Sequence, residues 1–285
     1  MIRLRSLGDC VLTTPALEIL KQSRPDLKLG VVVEDRFAEV FEGNPDVDGI
    51  LSPRLGQLTM WRPLLCLNLH GGTRSMALTR ASGARFRAGF GHHRGSCMYN
   101  VRIPRAQEIL GVERKVHTAE HLASAVFFLG AERRSIPRAR LFAERERAAR
   151  PYAVLHPFAT AAEKAWPPAR FLELARALEA DLEPVFIAGP DDDAAAAGQY
   201  RVERRSLGGL KSLLAGATLF VGNDSGPAHM AAALGVPVVV LYGPSDPVIW
   251  APWQVESEVI TSPEGLDRVP VDRVTRAVEQ LRVAR

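Results

Sequence analysis

Short apolar runs and helical segments alternate along the whole 285-residue chain, and the alternation begins afresh near residue 152. Parallel sheets flanked by helices produce that pattern, whereas all-helical and all-strand folds do not. In the first half, residues 2–4, 29–33, 64–69 and 85–90 read as strands, and 12–20 and 118–129 as helices. In the second, strands over 152–155, 184–188, 218–222 and 236–241 alternate with helices over 168–180, 208–216 and 226–234, which makes one doubly wound unit. The length exceeds what one core usually holds. The expected fold class is therefore α/β, with two Rossmann-like doubly wound domains at 1–147 and 148–285, divided within the charged, alanine-rich stretch 131–150. A last helix over 271–281 is expected to cross back onto the first domain. No fixed-period repeat occurs, which excludes solenoids and propellers.

Hydrophobic residues make up 47% and charged residues 24%, ordinary for a globular chain. No apolar stretch approaches the roughly 18 residues of a spanning helix, and the N-terminus lacks a signal peptide's apolar core, so a cytoplasmic protein is expected. Cys10, Cys66 and Cys97 are too far apart, and odd in number, for a disulfide framework or a zinc site. The net charge of +4 conceals an asymmetry: residues 1–150 hold 24 Lys/Arg against 15 Asp/Glu, and residues 151–285 hold 12 against 17. From Arg54 to Arg105 there are nine arginines and no acidic residue. Such a stretch cannot neutralise itself locally, so it reads as a docking place for something anionic or as a solvated basic surface.

The strongest constellation is Gly222-Asn223-Asp224-Ser225-Gly226-Pro227-Ala228-His229, placed between a strand and a small-residue helix. The first N–H groups of a helix have no internal partner and sit at the positive end of its dipole, so this turn is suited to a pyrophosphate. Gly226 removes side-chain bulk, and Pro227 costs nothing in a first turn. Asp224 and Ser225 are also ordinary helix N-caps, and His229 alone would read as a structural histidine. After the next strand, Tyr242-Gly243-Pro244-Ser245-Asp246-Pro247 and Trp250-Ala251-Pro252-Trp253 form a stiff loop at a strand's carboxyl end, where open α/β sheets bind ligands.

The run Asn223 to His229, with Leu241-Tyr242-Gly243-Pro244 and Trp250-Ala251-Pro252 behind it, resembles the signature of glycosyltransferase family 9, the ADP-heptose:lipopolysaccharide heptosyltransferases. Gly8-Asp9 with Thr13-Thr14-Pro15-Ala16-Leu17 is similar to that family's N-terminal motif, and Lys164-Ala165-Trp166-Pro167 to its donor-domain lysine motif. The resemblance implies the GT-B fold, two Rossmann-like domains facing across a cleft. It also implies inverting transfer of heptose from ADP-heptose to the lipopolysaccharide inner core, Kdo-lipid A or heptosyl-Kdo, with no cofactor and no obligatory metal. Asp9 is then the base, Lys164 the cation on the departing diphosphate, and Gly8, Thr160, Asp224, Ser225, Gly226, Pro227 and His229 donor contacts. Asp192, in Gly189-Pro190-Asp191-Asp192-Asp193, matches the family's acid for the ribose hydroxyls, and an N-cap role is equally open to it. Arg74, in the loop 71–75, is the leading contact for an acceptor bearing carboxylates and phosphates. Such a lipid-linked acceptor would bring the enzyme to the cytoplasmic face of the inner membrane. Two departures stand out: only seven residues precede Gly8, and Arg205 stands where relatives often pack an apolar residue on adenine.

Other chemistries fit less well. Gly222 to Gly226 places its serine one position late for a nucleophile elbow. His117 and His121 are four apart on a predicted helix, but no third ligand accompanies them. Neither G-x-G-x-x-G after the first strand nor a Walker A lysine is present. The alternatives carried forward are a family 9 enzyme with another nucleotide sugar or acceptor, a GT-B protein without transfer activity, and a basic nucleic-acid-binding protein. The intact Asp9, Lys164 and Asp224 count against the second. A pI near 9.2 motivates the third, and the lack of a base-stacking motif in the basic stretch counts against it.

Overall fold

The computed structural model describes residues 1–159, 161–262 and 264–283. The chain divides into two compact units, Met1–Phe142 and Ala143–Arg285, a few residues before the expected boundary.

The first unit is built on short parallel strands. β1 (Gly30–Val32) pairs with β2 (Gly49–Leu51), and β3 (Leu65–Asn68) pairs with β4 (Phe86–Phe90), which pairs with β5 (Val101–Ile103). Residues 1–4 run between β1 and β3 and join the two sets. The Ile2 N–H donates to the Leu67 carbonyl and the Arg3 N–H to the Val32 carbonyl. The expected strand over 2–4 is reduced to one residue, because only Ile2 forms bridges, to Val32 and to Asn68. Burial still holds the segment in place, since Ile2 and Leu4 pack with Val32, Leu58, Cys66 and Ala84. Its neighbours β1 and β3 continue in opposite directions across the sheet, so its carboxyl end lies at the topological switch point, where doubly wound sheets bind ligands.

The helices of this unit are α1 (Leu7–Val11), α2 (Thr14–Ser23), α3 (Leu55–Trp61), α4 (Thr73–Ala81), α5 (Ala106–Leu110) and α6 (Thr118–Phe128). The helix expected over 12–20 is found as α2, starting at Thr14 with Pro15 in its first turn, and a separate short helix, α1, precedes it, the two parted at Leu12 and Thr13. Proline lacks the N–H that a continuous helix would need there, and its fixed φ suits a helix start. The apolar α6 is nearly all buried, from Thr118 to Phe127, and packs on α2 and α5.

The second unit holds a six-stranded parallel sheet. Its strands are β6 (Tyr152–His156), β7 (Glu183–Ile187), β8 (Arg201–Glu203), β9 (Leu219–Asn223), β10 (Val238–Tyr242) and β11 (Ser257–Thr261), in the order β11-β10-β9-β6-β7-β8. Around it lie α7 (Pro168–Leu178), α8 (Leu207–Gly216), α9 (Gly226–Ala233), α10 (Pro247–Trp250) and α11 (Val271–Val283). The four central strands are buried along nearly their whole length, as expected for a sheet covered on both faces. The edge strands β8 and β11 are half exposed and carry charge, which is why apolar runs did not reveal them. The last helix differs from expectation. Val274, Ala277, Val278 and Leu281 form its apolar stripe, and that stripe is built into the core of this unit with Phe171, Leu174 and Leu178.

Candidate active site

In the second unit β6 and β9 are neighbours, yet the chain leaves β6 towards β7 on one side and β9 towards β10 on the other. The loops at their carboxyl ends diverge and open a crevice. His156 ends β6 and Asn223 ends β9. The fully buried Asn223 ties the crevice together: its Nδ2 donates to the Pro157 carbonyl at 2.8 Å, and its Oδ1 accepts from the Trp166 backbone N–H at 2.9 Å. Trp166 is itself buried, donates its indole N–H to the Val269 carbonyl at 2.9 Å, and meets Phe171 edge to face. In Lys164-Ala165-Trp166-Pro167 the tryptophan is thus the anchor, and the lysine is the group it presents.

Lys164 ends a single 3-10 turn, with its side chain about one-third exposed, and its Nζ lies 3.9 Å from Asp224 Oδ2. One contact at that distance leaves ammonium donors for a ligand. From the opposite side the turn is braced by Gly243 at the end of β10. A Cβ there would overlap the Glu163 carbonyl oxygen and lie 3.3 Å from Lys164 Cα.

Ser225 occupies the N-cap of α9, but its side chain makes no capping hydrogen bond. Its Oγ instead shares a hydrogen bond with His156 Nδ1 at 3.1 Å, while Asp224 faces Lys164. Ser225 is thus the N-cap by position, with its hydroxyl turned to His156 rather than to the helix end. With Gly226 and Pro227 in the first turn, the end of α9 presents backbone rather than side chain beside Lys164. A diphosphate requires that combination of N–H groups, helix dipole and mobile cation. His229 lies in the same helix and is buried. Burial pulls the His156 pKa down to about 4, against the opposing Asp192 carboxylate, so the imidazole is neutral at physiological pH.

Asp192 braces its own loop: its Oδ2 accepts from the Gly189 N–H at 2.7 Å, and Arg204 grips the Gly189 and Asp192 carbonyls from outside. One carboxylate oxygen is committed to the turn after β7. Arg205 is locked in ion pairs with Glu203 and Glu146. Thr160 lies outside the described residues. A separate hollow of about 780 Å³, lined by residues 144–147 and the ends of α8 and α9, opens at the amino edge of this sheet, away from the crevice and its functional groups.

In the first unit, Gly8 and Asp9 lie within α1. Asp9 is the third helical residue of a capping box. Its Oδ2 accepts from the Ser6 N–H at 3.3 Å and from the Ser6 hydroxyl at 3.0 Å, and its Oδ1 pairs with Arg3. Arg3 is buried and anchored by an Nη1 hydrogen bond to the Leu69 carbonyl. Asp9 keeps 18% of its side-chain surface exposed, so one carboxylate is fixed from behind and reachable from in front. Beside it, at the carboxyl ends of β3 and β4, stand His70, His92 and His93, with His121 of α6 stacked on Phe90 at 4.0 Å. Burial lowers the pKa of all four imidazoles. Burial and then its histidine neighbours carry His121 to about 4, so the group is neutral at pH 7. His117 is the N-cap of α6, its Nδ1 accepting from the Ala119 N–H at 3.1 Å. Among the described residues no group of three His, Cys, Asp or Glu is arranged to hold a metal ion.

Arg74 lies in the first turn of α4, not in a loop, is largely exposed, and stands 3.6 Å from Glu34. Arg54 similarly meets Asp35. Two of the nine arginines are thus neutralised by acids about 20 to 40 positions away, which a local count of charges could not reveal.

Sequence reasoning did not single out Arg3, His156, the bracing role of Gly243, or His70, His92 and His93 beside Asp9. His156 was detectable in principle, being the polar residue that ends a strand before Pro157. Arg3 and the histidine group gave no signal, because only tertiary contacts assemble them.

Two α/β units, each with its candidate site residues at a sheet switch point, make up the GT-B fold. The profile of Glycosyltransferase family 9 (heptosyltransferase) matches residues 65–270, and the chain belongs to that family. It is 28% identical to lipopolysaccharide heptosyltransferase 3 of Escherichia coli, over 88% of this chain and 84% of that protein. Among solved structures, a glycosyl transferase family 9 protein from Veillonella parvula superposes with a TM-score of 0.87 at 22% identity, covering 100% of this chain and 96% of that one. The E. coli heptosyltransferase WaaC, seen with ADP and with ADP-2-deoxy-2-fluoro heptose, superposes with TM-scores of 0.82 and 0.81 at 22% identity, each covering 98% of both chains.

Proposed function

We propose that this glycosyltransferase moves heptose from ADP-heptose onto the lipopolysaccharide inner core, with inversion and without an obligatory metal or other cofactor. The observation that carries the reading is the uncapped amino end of α9, set beside Lys164 and Asp224 at a sheet switch point. The ADP-bound state of WaaC and the names of the curated relatives support the choice of donor and acceptor.

In this reading the diphosphate rests on the N–H groups opening α9, with Ser225 and Gly226 at its rim. Asp9 takes the proton of the acceptor hydroxyl as that oxygen bonds to the anomeric carbon, and the carbon–oxygen bond to the diphosphate breaks on the opposite face. ADP departs with the electron pair, and Lys164 meets the charge that builds on it. Arg3 and Ser6 hold Asp9 so that its carboxylate keeps one orientation through the transfer. Thr160, Asp192, Pro227 and His229 complete the donor side, and Arg74 exchanges Glu34 for an acidic group of the acceptor. No helix among the described residues is long and apolar enough to cross a membrane. We place the enzyme in the cytoplasm, meeting its lipid-linked acceptor at the inner membrane.

A thermal-shift panel of nucleotide sugars tests the donor. Stabilisation by ADP-sugars above that by UDP- and GDP-sugars is expected, and a preference for UDP- or GDP-sugars would favour a different donor on the same fold.

A further inference from the structure

We propose that the amino-terminal edge of the first unit's sheet is a docking surface for an anionic phospholipid bilayer, used independently of the acceptor. Among the described residues, five of the seven exposed large hydrophobic side chains fall between residues 55 and 98, inside the acid-free arginine stretch. Four of them gather at one edge. Met60, 83% exposed, is in the last turn of α3, and Leu64, 66% exposed, directly precedes β3. Phe86 opens β4, its N–H donating to the Leu64 carbonyl at 3.0 Å, so both residues lie at the same end of the sheet. Met98 precedes β5, and its carbonyl receives Arg87 Nε.

Between residues 54 and 105 the charged residues at this edge are arginines. Arg62 follows α3, Arg80 closes α4, Arg85 lies over the Phe86 ring at 5.4 Å, and Arg87 reaches back to the Ala84 carbonyl. None of these four has a carboxylate partner among the described residues. Asp48 and Asp26, which precede β2 and β1, are engaged by Lys21 and Arg24. Isolated exposed apolar groups are commonplace, but four at one sheet edge, with guanidinium groups that lack carboxylate partners at the same edge, fit a surface that offers acyl chains beneath phosphates. A second copy of the chain is the poorer occupant, because a two-fold contact would set arginine against arginine. Asp9 sits at the opposite, carboxyl edge of the same sheet, so docking leaves it uncovered.

The test uses the full chain and vesicles of phosphatidylcholine, with or without phosphatidylglycerol, containing no acceptor. Co-sedimentation with the anionic vesicles only, weakening as salt is raised, is expected. Met60→Asp with Leu64→Asp should reduce that binding at least tenfold, and Arg62→Glu with Arg85→Glu should do the same. Both pairs replace exposed side chains, and an unchanged melting temperature checks that they fold. Transfer to a deacylated, water-soluble acceptor should stay at the wild-type rate, and absence of transfer in every form would count against the proposed reaction rather than against docking. Equal binding to neutral vesicles, undiminished binding by the variants, or a concentration-dependent dimer that the variants dissolve would each overturn the proposal.

Discussion

Replacing Gly243 by alanine tests whether Lys164 is held in place by the end of β10. The new methyl group would overlap the Glu163 carbonyl oxygen and crowd Lys164 Cα at 3.3 Å. Ordinary carbon contacts need about 3.5 Å, so the 3-10 turn must retreat by something on the order of 1 Å. Overpacking of this kind costs about 1–3 kcal/mol of stability, or a few degrees in melting temperature for a chain of this size. The kinetic effect should be larger in proportion, because a displacement of about 1 Å in a catalytic group can cost on the order of 100-fold. We expect kcat/KM, followed by ADP release, to fall about 10- to 100-fold. Gly56→Ala, where a Cβ meets nothing within 4 Å, should leave kcat/KM unchanged and stabilise α3 by up to about 1 kcal/mol. The glycine acts through Lys164, so adding Gly243→Ala to Lys164→Ala should produce little further kinetic loss. Wild-type turnover in Gly243→Ala, or a full additional loss in the double variant, would refute the reasoning.

Lys164→Ala alone should lower kcat by 100-fold or more, about 3 kcal/mol of transition-state stabilisation, and a change confined to KM would remove Lys164 from the leaving-group role. Asp9→Ala should abolish turnover while ADP still raises the melting temperature as in the wild type, and retained turnover would exclude it as the base. Acid stability should follow the buried imidazoles of His121 and His156, both lowered to about 4, chiefly by burial, from an unfolded value near 6.5. The unfolded chain takes up protons first, so stability is complete above pH ~6.5 and is lost as pH falls from there towards 4, by at most about 3 kcal/mol per histidine. Urea midpoints measured across that window should fall on acidification, less steeply in His156→Leu, and a rising midpoint would contradict the sign.

Alternation of apolar runs was enough to specify two α/β units, because a buried parallel strand must be apolar throughout and its flanking helix must carry an apolar stripe. The same one-dimensional logic located the turn at Gly222 to His229 and the lysine segment at 164–167, since strand ends and helix starts are local events. Where the chain folds back on itself, that logic stops. The half-exposed edge strands β8 and β11 lack an apolar signature. The stripe of α11 reads identically whichever core receives it, and the tertiary structure assigns it to the second. The functional side chains show the same division. Sequence marked Lys164, Asp224 and Asp9 as chemically apt, but contacts with residues far along the chain decide what each can do. Asn223 holds the Trp166 segment, His156 takes the Ser225 hydroxyl away from the helix end, and buried Arg3 fixes the Asp9 carboxylate from behind. Local sequence encodes what a segment can bury and which dipoles it exposes. Which charge ends up opposite which is set only when packing brings distant residues within a few ångströms, and Coulomb and hydrogen-bond energies act at that range.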